Sequence, residues 1–79
     1  MLFTSDMIEE IQLLTRYNLD TAQAGLKIHS TAAESVILAT KRLYDKGLVT
    51  QEDGGYLTGL GRTASEHAQD LLRILQYDA

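Results

Sequence analysis

His29 and His67 are the only histidines of the chain, which has no cysteine, so they head the candidates for metal or acid–base chemistry. A zinc site needs three or four ligands at short, characteristic spacings. The nearest approach to one is His67 with Asp70, three apart on a helix, a spacing that an ordinary surface pair also shows. Ser65-Glu66-His67 holds the residue types of nucleophilic catalysis. Neighbours one and two apart on a helix do not face each other, and a triad is defined by geometry. Gly54, Gly55, Gly59 and Gly61 do not follow Gly-x-Gly-x-x-Gly, so no phosphate-cradling loop is indicated. The expectation is no metal, no cofactor and no enzyme.

The remaining chemistry is recognition by charge. The chain has 79 residues, seven basic and eleven acidic, for a net charge of −4. That balance argues at first against a nucleic-acid partner. The acidity is uneven, however. Residues 27–46 carry four cations (Lys27, Lys41, Arg42, Lys46) against Glu34 and Asp45, a net of +2, and the rest carries three cations against nine acids, a net of −6. On a double-stranded DNA reading, Ser30, Thr31, Ser35 and Arg42 would face base edges. Lys41 and Lys46 would meet phosphates, and Lys27 and His29 would touch the backbone ahead of the helix. Glu34 on the same face, the acidic Glu52-Asp53 and the apolar Leu38 oppose that reading and suit a protein partner. Both partners stay open.

These residues need elements to position them. A first helix begins near Thr4 to Asp6, capped by Thr4 or Ser5 or by the Asp6/Glu9 capping-box spacing. Met7, Ile8, Ile11, Leu14 and Thr15 share its apolar face, and Leu13 interrupts the polar one. Residues 20–29 are ambiguous between a short helix and a strand through Leu26 and Ile28, and the short helix is expected. Thr31-x-x-Glu34 is a capping box opening a helix to Lys46, which Gly47 stops. Leu48–Gln51 and Tyr56–Thr58 are β-prone, and Asp53-Gly54 between them signals a hairpin. A final helix starts at Thr58 or Gly59. Its stripe is Leu60, Ala64, Ala68, Leu71, Leu72 and Leu75, widened by His67 and Ile74.

The run Leu43-Tyr44-Asp45-Lys46-Gly47-Leu48-Val49, with Gly55-Tyr56-Leu57-Thr58-x-x-Gly61, resembles the wing region of MarR-like and PadR-like winged-helix regulators. A likeness over nearly the whole chain rests on Leu26-Lys27-Ile28-His29, Arg42 to Gln51, Asp53 to Thr58 and Glu66-His67-Ala68-Gln69. These runs are similar to a small bacterial family of uncharacterised proteins labelled as DNA-binding or as related to a DNA-binding-protein inhibitor. The resemblance implies a mainly α fold with a two-stranded β-hairpin, a winged helix-turn-helix in the order α-α-α-β-β-α. The helix from Thr31 would sit where a recognition helix sits. The function so implied is a transcription-associated DNA binder, with a protein-interaction module as the alternative.

Length allows one domain, residues 1–79, which buries only about 60% of its unfolded surface. One small core does not easily cover every face of both terminal helices. Leu13, Leu38, His67, Leu71 and Ile74 are therefore the interface candidates, and a homodimer is expected. No signal peptide and no bilayer-length apolar run is seen, so the expected setting is cytoplasmic, without a membrane partner.

Overall fold

The structure is a computed structural model that describes residues 2–77. Its elements are α1 (Ser5–Leu14), β1 (Leu26–Lys27), α2 (Glu34–Asp45), β2 (Val49–Gln51), β3 (Gly54–Leu57) and α3 (Gly59–Leu75). The strands form an antiparallel sheet in the order β1-β3-β2. The fold is thus mixed α and β, with a third strand beside the expected hairpin.

α1 starts where Thr4 Oγ1 accepts from the Met7 amide at 3.1 Å, so Thr4 is the cap. Its inward residues are Glu10, Leu13 and Leu14, continued by Tyr17 beyond the helix. This corrects the expected face: Leu13 is 3% exposed and belongs to the core, whereas Met7 and Ile8 are 39% and 43% exposed. On this inward face Glu10 meets the Arg42 and Lys46 cations of the second helix and its end.

The short helix expected over 20–29 is absent. Asn18 Oδ1 accepts from the Asp20 amide at 2.9 Å, and Thr21 Oγ1 accepts from the Gln23 amide at 3.1 Å. Such local bonds compete with a helical ladder. Leu26 and Lys27 then pair with Gly55 and Gly54. Residues 15–33 hence separate α1 from α2 without a helix of their own.

The capping box at Thr31 is also replaced. α2 starts three residues later at Glu34, with Ala33 at the cap position and no side-chain bond there. The preceding turn takes its place, with the Ala32 amide on the His29 carbonyl at 3.0 Å. At the other end Gly47 has φ 77°, as its position after Lys46 predicts.

The hairpin turns on Glu52-Asp53. Val49 pairs with Leu57 and Gln51 with Gly54, so three residue steps on β3 oppose two on β2, which is a bulge. The extra residue falls between Gly54 and Leu57, where Gly55 has φ 74°. Gly54, at the start of β3, has φ +119°, and a Cβ there would lie 2.4 Å from the Leu26 carbonyl oxygen. α3 is capped by Thr58, whose Oγ1 accepts from the Gly61 amide at 3.0 Å. A Cβ on Gly61 would come within 1.8 Å of the Leu48 oxygen, so this glycine lets α3 lie against the start of the hairpin.

The core gathers Leu13, Leu14, Tyr17, Ile28, Ala39, Leu43 and Val49. α3 contributes little apolar bulk to it. Its innermost side chain is Ser65, whose hydroxyl donates to the Leu14 carbonyl at 2.6 Å. Gln69 Nε2 donates to the Tyr17 carbonyl at 2.8 Å. Polar bonds at a close helix contact thus stand where the expected leucine stripe would lie. Leu60 and Leu75 are 61% and 73% exposed.

Candidate functional site

α2 divides the basic segment. Successive helical residues point about 100° apart, so Lys41 and Arg42 leave the helix on different sides. Arg42 and Lys46, one turn apart, face α1. Arg42 Nε donates to Glu10 Oε2 at 2.9 Å, and Lys46 Nζ to Glu10 Oε1. Arg42 Nη2 also donates to the Asp6 carbonyl at 3.3 Å and lies 3.7 Å from the Asp6 carboxylate. Arg42 is therefore half-buried between two helices and does not stand on the exposed face expected of it. Burial works to raise the Glu10 carboxyl, and the hydrogen bonds and charges of Lys46 and Arg42 overcome this and hold it below its ordinary value. Asp6, Glu10, Arg42 and Lys46 sum to zero, so the excess of +2 counted along residues 27–46 is cancelled in space by α1.

Lys41 points the other way, into a cleft of about 470 Å³. Ile37, Thr40 and Lys41 of α2 line one side, Lys27, Ile28, His29 and Ser30 line another, and Glu52 and Asp53 close the rim. The turn is tied to the β1 edge by the Ile28 amide, which donates to the Asp53 carbonyl at 2.8 Å. The Thr40 hydroxyl is occupied by the Val36 carbonyl at 2.7 Å. Among the described residues no ion pair joins Lys27 or Lys41 to Glu52 or Asp53.

Four of the eight residues expected to meet DNA thus share the cleft: Lys27, His29, Ser30 and Lys41. Thr31 and Ser35 are exposed around the start of α2 but do not line it. Of the interface candidates, Leu38 is 47% exposed on the outer side of α2. His67, Leu71 and Ile74 follow one another at helical spacing along the open side of α3, with Leu71 and Ile74 51% and 65% exposed. Every described residue from Asp70 to Tyr77 is exposed. Among the described residues no three His, Cys, Asp or Glu side chains converge as metal ligands, and no helix is long and apolar enough to cross a membrane.

Periodicity missed Glu10. The available signal was its place three and four residues before Leu13 and Leu14, together with the one-turn spacing of Arg42 and Lys46. Glu52 and Asp53 form the turn between β2 and β3, and the sheet order sets that turn beside the cleft next to α2.

A family described as a family of unknown function, DUF5669, matches residues 1–76. The chain belongs to this family. No curated protein and no solved structure matches the DUF5669 chain.

Proposed function

We propose that this protein is a small non-enzymatic interaction module, winged-helix-like in frame, that pairs with a second copy of itself through the end of α3. The sheet order β1-β3-β2 beside α2 supports the winged frame, with the turn at 29–33 where the first helix of a helix-turn-helix would stand. The observation that carries the pairing is the apolar end of α3, where Leu71, Leu72, Ile74, Leu75 and Tyr77 are all exposed.

DNA has one observation in its favour, the gathering of Lys27, His29, Ser30 and Lys41 around one cleft. It ranks second because Arg42 and Lys46 are engaged by Glu10, and two carboxylates stand on the same cleft. A polyanion needs several free cations.

Sedimentation equilibrium tests the pairing. The expected mass at high micromolar protein is twice 8.8 kDa, and Ile74→Asp should return it to the single-chain value. A wild-type mass of 8.8 kDa would end the proposal. Salt-dependent binding of mixed duplex DNA that Lys27→Ala abolishes would promote the second reading.

A further inference from the structure

We propose that the cleft between α2, β1 and the β2–β3 turn binds a small zwitterionic molecule with an apolar body, of the size of a dipeptide. Its volume of about 470 Å³ falls in the range of small-molecule sites, roughly 300–1,000 Å³. The lining combines an apolar part with a few convergent polar groups, the usual composition of such sites. Ile28, 7% exposed, and the half-buried Ile37 supply the apolar part. The charge pattern selects the ligand. Lys27 and Lys41 are balanced by Glu52 and Asp53, so the site is neutral as a whole but charged locally. A simple anion meets two carboxylates and a simple cation meets two lysines. A molecule with an ammonium and a carboxylate held apart satisfies both.

These four groups do not satisfy one another. No ion pair within the cleft joins them among the described residues, whereas Glu10, Arg42 and Lys46 on the other side of α2 have closed theirs. Lys41 belongs to α2, Lys27 to β1 and the two carboxylates to the turn between β2 and β3. The ligand carboxylate is assigned to Lys41 with Lys27, its ammonium to Glu52 and Asp53, and its apolar side chains to Ile28 and Ile37. This inference does not rest on pairing through α3, since a monomer would retain the cleft.

The test is an amide-resolved NMR titration of the full chain with the dipeptide Leu-Leu, run beside its N-acetylated and C-amidated forms. The expected result is saturable shifts confined to Lys27 to Ser30, Ile37 to Lys41 and Glu52-Asp53. Each blocked dipeptide should bind about tenfold more weakly, the loss of one charge-assisted contact. Lys41→Ala should weaken Leu-Leu by a similar factor and leave binding of the amidated form unchanged. That last readout separates a lost carboxylate contact from a general distortion of the site. Absence of localised shifts at millimolar dipeptide would overturn the proposal, as would equal binding of all three forms. So would duplex DNA that shifts the same amides at micromolar concentration, since the cleft would then be a nucleic-acid contact.

Discussion

α2 faces two charged neighbourhoods built from the same side-chain types, and only one of them is closed. Toward α1, Arg42 and Lys46 converge on Glu10, whose side chain is 8% exposed. Toward the sheet, Lys27 and Lys41 share a cleft with Glu52 and Asp53 and remain unpaired with them. A buried carboxylate must be paired, because removing it from water costs several kcal/mol. Exposed charges carry no such requirement, and pairing them gains about 0–1 kcal/mol. The first neighbourhood therefore serves the fold, and the second is free for a ligand.

The largest way to break this contrast is Glu10→Lys, which would set three cations together between α1 and α2. The expected loss is about 3 kcal/mol or more, read as a lower urea midpoint. An unchanged midpoint would mean that Glu10 is not enclosed. Glu10→Gln is milder, since Arg42 and Lys46 are partly exposed and can rehydrate, and should cost about 1–2 kcal/mol. The pH dependence has a definite sign. The folded Glu10 carboxyl lies below its ordinary value of 4.5. Its contribution is therefore full above that value and is lost as pH falls through the folded pKa. Wild type should lose stability on acidification more steeply than Glu10→Gln, and parallel curves would contradict the arrangement.

Two double-mutant cycles sharpen the comparison. Glu10→Gln with Arg42→Gln should show a coupling of about 1 kcal/mol, and Lys41→Gln with Asp53→Asn a coupling near zero. Equal couplings would erase the distinction. The smallest effect belongs to Lys41→Ala alone, expected within about 0.5 kcal/mol of wild type, while the same change weakens dipeptide binding.

Local signals in the sequence were legible where they acted within a few residues. Thr4 and Thr58 cap their helices through their own hydroxyls, Gly47 ends α2, and the Asp-Gly signal marks a real hairpin. The capping box at Thr31 failed because Ala33 takes the cap position. The segment 20–29 failed because Leu26 and Lys27 gain a strand partner nearly thirty residues away, on Gly54 and Gly55. A charge count along residues 27–46 leaves out Asp6 and Glu10 of α1, which lie beside Arg42 and Lys46 in space.

The sequence by itself determined the three long helices, the hairpin and the end of α2, because caps, turns and helical periodicity act between near neighbours. It also determined the surplus of leucine on α3, though not that Ser65 and Gln69 would take the inward side. Only the tertiary structure decided which charges are spent. Lys41 and Arg42 are adjacent in sequence, and the turn of the helix sends one to a cleft and the other to a buried carboxylate. Pairing energy depends on distance and burial across elements, and neither quantity is written in the order of residues.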